Sequence, residues 1–343
     1  MRLTGRQMAF DFLPVHQASA TARAGASEPA GPAAYGTVIL CWLLSAGVYI
    51  AAKWAQADMP PWALGFWRPA IAGLLLLPAV RGHYAAMGAV LRARAPMVLL
   101  VGGIGLAMSP GLIYVGLQTT TAVNAGLIMA LMPIVTMILA RFVLGETMGV
   151  WQAVGAATAL AGMVVIVAQG DLAALAALRF NPGELWIVAS ALCFAAYSVL
   201  LRRANFALER LPLLLLLLGA ATLTALPFYI WEMLHDERTA LNTNGLLALA
   251  YVAAPGGALM YYLFNWSVDA FGAARAGIFL YLQTVFIAVL AYLLLGEKLH
   301  RYDFAGAALI VIGVLLVTLL KPRAPAPATI VASGPAGDAA PSS

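Results

Sequence analysis

The sequence predicts an all-α polytopic membrane protein with ten transmembrane helices, arranged as two inverted five-helix repeats. Of its 343 residues, 63% are hydrophobic and only 10% are charged, which is too apolar for the surface of a soluble domain. Ten apolar stretches, each close to the ~20 residues with which a helix crosses ~30 Å of hydrocarbon, lie between residues 34 and 320. Their length favours helices over the short alternating strands of a β-barrel.

We number the predicted helices spans 1 to 10 in chain order. They cover residues 34–53, 61–80, 96–117, 121–143, 149–168, 184–202, 211–233, 245–267, 272–295 and 301–320. Spans 1–5 form the first repeat (34–168), residues 169–183 form a connecting loop, and spans 6–10 form the second repeat (184–320). The two ends are predicted to be a flexible cytoplasmic N-terminal tail (1–33) and a disordered cytoplasmic C-terminal tail (321–343).

The internal repeat is the most informative feature of the chain. Residues 122–162 align without a gap onto residues 273–313 at a constant offset of 151, with thirteen identities. Each half holds an odd number of spans, so the second half must lie upside down relative to the first. Inverted repeats around a midplane site are how many secondary transporters form two alternating gates.

The basic residues predict the orientation. With a cytoplasmic N-terminus, thirteen lysines and arginines fall in inside segments and five in outside segments, so both termini are expected in the cytoplasm. The net charge of +5 then reflects topology. Because no basic stripe alternates with aromatic residues, we predict no nucleic-acid partner.

This orientation is testable by cysteine labelling. A cysteine replacing Glu237 should react with a membrane-impermeant reagent added outside, whereas one replacing Ala207 should react only from the cytoplasmic side. Labelling of both positions from one side would contradict the inverted arrangement.

The distribution of reactive side chains weighs against an enzyme. All four histidines lie in predicted tails or loops, and no carboxylate lies at the midpoint of a span. A membrane hydrolase would need a nucleophile with a base on a facing helix, or a metal held at helical spacing. We therefore predict no catalytic residues, no metal site, no cofactor and no buried proton relay.

Arg68 is the one charged residue placed well inside a span, away from its ends. It lies seven residues after Pro61, about 10 Å below the outer membrane surface at 1.5 Å per residue. Its guanidinium group can extend outward, pair with a helix-end carbonyl, or bind an anionic group of a substrate. The sequence leaves these three alternatives open.

Helix-breaking residues lie near the centres of three spans. They are Pro110 with Gly111 in span 3, Pro133 in span 4, and Pro255 with Gly256 and Gly257 in span 8. Proline removes a backbone hydrogen bond and kinks a helix, and the freed carbonyl then needs a partner. Kinks in three spans together favour a central cavity over simple packing.

Polar and aromatic side chains at the depth of the spans are the candidate lining of this cavity. These are Trp42, Tyr49, Arg68, Asn124, Met129, Tyr197, Tyr261, Asn265, Tyr281 and Gln283. We expect the site between spans 4, 8 and 9, with Asn124, Tyr261, Asn265 and Tyr281 facing one another. Trp42 can instead lie at the membrane interface, and Met129 can simply fill a gap.

Residues 125–146 and 276–297 both begin with Ala-Gly and end with Leu-Gly-Glu. They resemble the paired EamA-type domains of the drug/metabolite transporter superfamily, and Arg68 is similar to an arginine that often opens the second span there. The resemblance covers about residues 34–320. It implies a ten-helix basket in which helices 1–4 and 6–9 surround the cavity while helices 5 and 10 brace it. The family commonly has proline at the position of Thr284, as the first repeat has at Pro133. The resemblance therefore does not imply that span 9 is kinked like span 4.

The repeated motif also has a local interpretation. Gly145 and Gly296 are expected to take the left-handed conformation that ends a helix, with the following glutamate near the N-terminus of the next helix. Gly155 and Gly162, with Gly306 and Gly313 in the second repeat, form small-residue stripes that favour close helix packing.

These observations predict a multi-pass permease of the plasma (inner) membrane that exports small amino-acid-like or amphipathic metabolites by alternating access. The expected partners are a small-molecule metabolite and the lipid bilayer, and a homodimer is left open. The competing hypothesis is a non-transporting scaffold or a subunit of an envelope-assembly complex, for which a tightly packed core is expected.

Overall fold

The computed structural model describes residues 32–145, 149–168, 170, 181–235, 242–271 and 280–319. Within these ranges the regular structure is helical, with no strand. Both predicted tails, except the first tail's last two residues, lie outside the described residues, as does most of the predicted connecting loop. The glutamate of the first Leu-Gly-Glu, Glu146, also lies outside them.

Thirteen α-helices form the described part of the chain. In the first half these are α1 (Pro32–Trp54), α2 (Pro61–Leu76), α3 (Tyr84–Gly102), α4 (Ser109–Gly116), α5 (Ala122–Met129), α6 (Met132–Leu144) and α7 (Val150–Val167). In the second half they are α8 (Pro182–Ala204), α9 (Arg210–His235), α10 (Thr243–Ala253), α11 (Met260–Phe271), α12 (Leu280–Leu290) and α13 (Arg301–Leu319). Three π-helical segments, Gly103–Met108, Ala254–Leu259 and Ala291–Leu295, and a short 3₁₀ turn, Leu77–Val80, extend or join these helices.

Seven helical stretches in the described residues are long and apolar enough to cross a membrane. They are Tyr35–Trp54, Pro61–Val80, Tyr84–Gly116, Ala122–Leu144, Pro182–Ala204, Arg210–His235 and Thr243–Phe264. Two shorter apolar helices, Ala153–Ile166 and Leu282–Leu295, lie within predicted spans 5 and 9. The polytopic helical fold is therefore confirmed, while the count of ten and the inversion of the repeats remain predictions.

Span 3 is preceded by an additional helix. The helical stretch Tyr84–Gly116 has 33 residues, but a kink at Arg94 divides it into two helices, and the second helix begins close to the predicted start of span 3 at residue 96. The backbone leaves helical geometry at Arg94 (φ −139°, ψ 30°), because Pro96 cannot donate the next backbone hydrogen bond. At 1.5 Å per residue the helix from Ala95 to Gly116 is about 33 Å long, so it crosses ~30 Å of hydrocarbon alone, and the turns before the kink lie outside the hydrocarbon.

The three predicted helix interruptions are present. In span 3 the π-helical segment Gly103–Met108 leads into Pro110. In span 4 the helix breaks at Ala130 and Leu131, between α5 and α6. In span 8 the Pro255 region forms the π-helical segment Ala254–Leu259. By contrast, α12 continues through Thr284, so span 9 has no kink equal to that of span 4.

The glycine stripes join α7 to α13; the sequence predicted close packing at these glycines but not which helices meet there. A Cβ atom on Gly162 would lie 2.7 Å from the carbonyl oxygen of Gly306, and one on Gly313 would meet the backbone of Gly155. Larger residues at these positions would push the two helices apart. Spans 5 and 10 therefore pack along each other through backbone contact.

Both halves of the chain contribute to one hydrophobic core. Ile128 of α5 and Ile287 of α12 are buried together in it with Leu64 of α2. A Cβ atom on Gly126 would lie 3.0 Å from Ile287 Cδ1, so α5 and α12 approach closely here. A second cluster, which includes Leu106 and Leu217, packs α2 and α3 against α9. This packing brings α1, α2, α4 and α11 around Arg68.

Candidate functional site

Arg68 lies buried between α2 and the irregular part of span 8. Its side chain is 7% exposed, and its Nη2 donates to the carbonyl oxygen of Gly256 at 3.3 Å. Its Cζ lies 5.1 Å from the ring centroid of Tyr261, within cation–π range. Of the three alternatives left open by the sequence, pairing with a backbone carbonyl is the one observed. The outward extension of the Arg68 side chain, another of these alternatives, is not observed.

Two more tyrosines complete this group. Tyr49 of α1 and Tyr114 of α4 are both buried, and both interact electrostatically with the guanidinium group. We call Arg68, Tyr49, Tyr114 and Tyr261 the arginine–tyrosine cluster. Arg68 Nε and the Tyr114 hydroxyl group have no hydrogen-bond partner among the described residues. The cluster therefore presents a buried cation with one unused N–H donor next to an unused hydroxyl group.

The helix irregularity in span 8 makes this arrangement possible. Pro255 cannot donate a backbone hydrogen bond, and the two glycines that follow it allow neighbouring helices to approach. A Cβ atom on Gly257 would lie 3.4 Å from Ala72 of α2, and one on Gly256 would meet Val48 of α1. The carbonyl of Gly256 can thus reach Arg68 within a tightly packed junction.

Sequence reasoning missed Tyr114. It lies one helical turn after Pro110, on the same face of a helix already predicted to be kinked. That spacing is the signal that could have identified it. The structure thus adds span 3 to the spans that contribute side chains around Arg68.

Tyr197 and Trp42 lie near this cluster. The ring of Tyr197 packs directly on Gly105, where a Cβ atom would overlap it, and Tyr197 and Tyr261 pack against the same hydrophobic cluster. Trp42 is buried and makes an edge contact with Phe264 at 5.8 Å between ring centroids. The burial of Trp42 argues against a position in the interfacial aromatic belt.

The remaining predicted residues divide into two groups. Met129 is half-buried, with its sulfur 3.9 Å from Ser190 Oγ of α8, and Gln283 is half-buried on α12. The side chains of Asn265 and Tyr281 lie outside the described residues. Their place in the lining remains a prediction.

Asn124 has a different partner from the one expected. Its Nδ2 donates to Glu184 Oε1 at 2.7 Å, and the hydroxyl group of Thr120 lies 3.5 Å from the same oxygen. Glu184, in the first turn of α8, is fully buried. The amide expected to face Tyr261 is therefore bound by a carboxylate at the N-terminal end of α8.

A polar network holds the connector between α4 and α5, residues 117–121. Lys53 at the end of α1 donates to the carbonyl oxygens of Leu117 and Thr120, both at 2.7 Å. Asn181, ahead of α8, donates to the carbonyl oxygen of Thr119 at 2.9 Å. Side chains from both halves of the chain thus fix one short connector.

Glu297 completes this network and corrects one expectation. Its two carboxylate oxygens accept hydrogen bonds from the backbone N–H groups of Ala122 and Val123, at 2.9 and 3.1 Å. Glu297 was expected at the N-terminus of the following helix, α13. That end is already capped, because Asp303 accepts a hydrogen bond from the His300 N–H group at 2.7 Å.

The turn that places Glu297 is the one the sequence predicts. Gly296 has φ 64° and Gly145 has φ 70°, both in the left-handed region that favours glycine. The chain therefore leaves its helix sharply at Gly296. This directs the glutamate of the second repeat toward a helix of the first.

Comparison with known proteins identifies the family. The model of the EamA-like transporter family matches residues 33–168 and again residues 181–319. YyaM, an uncharacterized transporter of Bacillus subtilis, is 27% identical over 80% of this chain and 89% of its own. YedA, an uncharacterized inner membrane transporter of Escherichia coli, is 26% identical over 85% of this chain and 92% of its own.

Two further matches bear on substrate and fold. A protein of Streptantibioticus cattleyicolor named "Probable terminal-alkyne amino-acid exporter" is 27% identical over 65% of this chain and 72% of its own. A solved crystal structure of a protein with 24% identity aligns with a TM-score of 0.57, covering 85% of this chain and 98% of that one. At this identity the structural match supports the fold alone.

The two family matches together cover most of the chain, and relatives that align over most of their length are named as transporters. The apolar helices and the inner-membrane relative agree with a multi-pass protein of the inner membrane. The chain thus belongs to the EamA-like transporter family, within the drug/metabolite transporter superfamily.

Proposed function

We propose that the protein exports small amino-acid-like or amphipathic metabolites across the inner membrane by alternating access, and that Arg68 binds their carboxylate group. The observation that carries this proposal is the buried guanidinium group with an unused Nε donor. Burying a charge is costly unless it is paired, and a carboxylate matches the planar fork of a guanidinium group. Gly256 supplies only a neutral acceptor, so Arg68 can still pair with an anion.

The surroundings of Arg68 suit the rest of such a molecule. Tyr49, Tyr114 and Tyr261 offer aromatic faces and hydroxyl groups on three helices. Pockets of this kind bind ligands by apolar contact and use a few polar groups for orientation. The relative named as an amino-acid exporter supports the same substrate class. We place Trp42, Tyr197, Asn265, Tyr281 and Gln283 in the outer parts of this lining.

The alternating-access mechanism is supported by the position of the helix interruptions. Spans 3, 4 and 8 are all irregular in their middle parts, where a change of helix direction would open one end and close the other. The network around residues 117–121 favours a closed state at that end of the protein.

The test is a metabolite-resolved assay with purified protein in liposomes. Liposomes are loaded with a mixture of the proteinogenic amino acids and their decarboxylated amines, and the external medium is analysed over time by mass spectrometry. We expect carboxylate-bearing, apolar members to leave the liposomes faster than the matching amines. If no solute leaves these liposomes faster than it leaves loaded liposomes without protein, the scaffold hypothesis is favoured instead.

Tyr261→Ala is expected to slow this export about tenfold while leaving expression and monodispersity unchanged. Removing the ring takes away the cation–π contact and one hydroxyl group, together worth ~1–3 kcal/mol. Asn265→Ala is expected to have a similar effect. Tyr262→Ala is the matched control, because Tyr262 is the next residue on α11 but is 49% exposed. Equal rates for Tyr261→Ala and Tyr262→Ala would place the pocket elsewhere.

Transport is expected to proceed by facilitated diffusion or exchange, without a dedicated buried proton carrier. The sequence places no carboxylate or histidine at midspan, and the fully buried Glu184 lies at the start of α8. The measurement is flux under an imposed pH gradient for the wild type and for Glu184→Gln. Uphill flux that follows the gradient and is lost in Glu184→Gln would contradict this prediction.

A further inference from the structure

The net positive charge of this protein is concentrated in two short segments that form one corner of the structure. Residues 81–94, between spans 2 and 3, and residues 202–210, between spans 6 and 7, contain six arginines and one glutamate. The net charge of these two segments therefore equals the +5 of the whole chain, and the remaining residues are balanced at thirteen basic and thirteen acidic. We call these arginines the arginine surface. They are Arg81, Arg92, Arg94, Arg202, Arg203 and Arg210, and all are exposed.

The two segments lie against each other. Arg94 Nη1 donates to the carbonyl oxygen of Ala204 at 2.6 Å, at the end of α8. His83 Nε2 lies 3.3 Å from the carboxylate of Glu209. The helices that they join also pack together, since α3 contacts both α8 and α9. The six guanidinium groups therefore extend from one continuous surface and not from separate loops.

This surface lies at the level where a membrane begins. The first turns of α3, from Tyr84 to the irregular backbone at Arg94, lie beyond the hydrocarbon when the rest of the 33-residue stretch crosses it. Met87 is buried in these turns against Val80 and Leu215. Tyr84 and Leu91 remain 50% and 43% exposed. Seven residues apart, these two share one face, which offers apolar area beside the arginines.

The positive-inside rule does not account for this concentration. The rule requires more basic residues on one side, and it is satisfied when they are spread over several loops. Elsewhere on the predicted inner side, the junction of spans 4 and 5 contains Arg141 and Glu146, and that of spans 8 and 9 contains Arg275 and Asp269, so both are balanced. The two tails together contain five basic and three acidic residues. Five of the seven net positive charges on the predicted inner side therefore lie at this corner.

We propose that the arginine surface binds the anionic headgroup of a membrane phospholipid, with the glycerol end of its acyl chains against Tyr84 and Leu91. Arginine binds phosphate through its planar fork, and clusters of basic residues next to a membrane helix attract anionic lipid headgroups. Exposed apolar side chains next to the cationic groups match the two parts of such a lipid. This binding does not depend on the proposed substrate.

The test measures lipid binding by the purified full-length protein in a neutral detergent. Dioleoyl phosphatidylglycerol and dioleoyl phosphatidylcholine are titrated separately, and bound lipid is counted by native mass spectrometry alongside the thermal unfolding midpoint. We expect saturable binding of phosphatidylglycerol that raises the midpoint, and weaker binding of phosphatidylcholine. Equal binding of the two lipids would overturn the proposal. Competition by inorganic phosphate as strong as that by phosphatidylglycerol would also overturn it.

The variant Arg81→Gln/Arg92→Gln/Arg203→Gln removes three exposed charges without touching the Arg94 contact to α8. We expect it to weaken phosphatidylglycerol binding about tenfold or more and to leave phosphatidylcholine binding unchanged. Replacing the same three residues with lysine should preserve most of the selectivity. The matched control, Arg141→Gln/Lys298→Gln/Arg301→Gln, removes three exposed charges elsewhere and should bind like the wild type. Binding by the first variant equal to that of its control would overturn the proposal.

Discussion

Replacing Arg68 with glutamine is expected to slow the export of carboxylate-bearing metabolites about ten- to hundredfold. A hydrogen bond to a charged group is worth ~1.5–3 kcal/mol, and each ~1.4 kcal/mol corresponds to a factor of ten. Glutamine keeps a polar side chain that can still donate to the Gly256 carbonyl, so the junction between α2 and span 8 should survive. The slower export by the variant then reports the loss of the positive charge and of the planar guanidinium group.

The decisive readout is the difference between a carboxylic acid and its amine. In the liposome assay, Arg68→Gln should reduce export of each transported amino acid much more than export of its decarboxylated amine. A merely structural arginine would affect both compounds equally. Arg68→Lys keeps the charge but loses the planar fork and the stacking on Tyr261, so its rate should fall between those of the wild type and Arg68→Gln.

Two controls separate the outcomes of this experiment. Arg141→Gln removes an exposed arginine at the end of α6 and should change neither rate. Size-exclusion profiles and unfolding midpoints show whether Arg68→Gln remains folded. If the folded variant exports acids and amines in the wild-type ratio, Arg68 does not bind the carboxylate. If the wild type exports neither, the proposed substrate class itself is wrong.

The sequence predicted the positions of the helices well because local composition determines them. Predicted spans 2, 6 and 7 agree with helical stretches Pro61–Val80, Pro182–Ala204 and Arg210–His235 within about two residues at each end. Apolar runs that end in proline, charged or asparagine residues leave few alternatives. The helix that precedes span 3, from Tyr84 to the kink at Arg94, was not predicted, because a helix outside the hydrocarbon does not need a continuous apolar run.

The interruptions of the helices were also local and therefore predictable. Proline and glycine act on the backbone within one turn, so Pro110 and Pro255 mark irregular helices wherever the chain folds. The left-handed Gly145 and Gly296 are predictable for the same reason. The sequence correctly predicted no comparable kink at Thr284, because threonine, unlike proline, keeps its backbone N–H donor.

The partners of the polar residues could not be predicted. Glu297 binds N–H groups 174 and 175 residues away, and Asn124 binds a carboxylate 60 residues away. Amino-acid type indicates that such groups need partners but not which ones they find. The group of residues around Arg68 was therefore only partly predicted. Tyr49 and Tyr261 were identified in advance, whereas Tyr114 and the carbonyl of Gly256 were not.

Replacing Glu297 with alanine is expected to open the end of the protein at which the polar network joins the two halves of the chain. The carboxylate accepts hydrogen bonds from two N–H groups in the first turn of α5, which have no partner within their own helix. Loss of a side-chain cap costs ~0.5–2 kcal/mol, and a buried unpaired N–H group costs ~1–3 kcal/mol. The contact joins the two halves of the chain, so its loss acts on their relative position.

If the protein alternates between two states, and this contact forms only in the state closed at this end, its free energy shifts the balance between them. A loss of ~2 kcal/mol would raise the open population roughly thirtyfold. The measurement is the rate at which a cysteine replacing Ala122 reacts with a membrane-impermeant maleimide in liposomes. Ala122 is fully buried, so the wild-type background should react slowly. The Glu297→Ala background should react about ten- to thirtyfold faster.

Two companion variants test whether the carboxylate is responsible. Glu297→Gln keeps one acceptor oxygen but loses the charge, so its rate should lie between those of the wild type and Glu297→Ala. Asp58→Asn is the matched control, because Asp58 accepts its hydrogen bond from Asn242 in an exposed position and water can replace that contact. Labelling in the Asp58→Asn background should remain slow. If Glu297→Ala labels no faster than Asp58→Asn, or if it labels faster only because its unfolding midpoint has collapsed, the carboxylate is a helix cap without a part in gating.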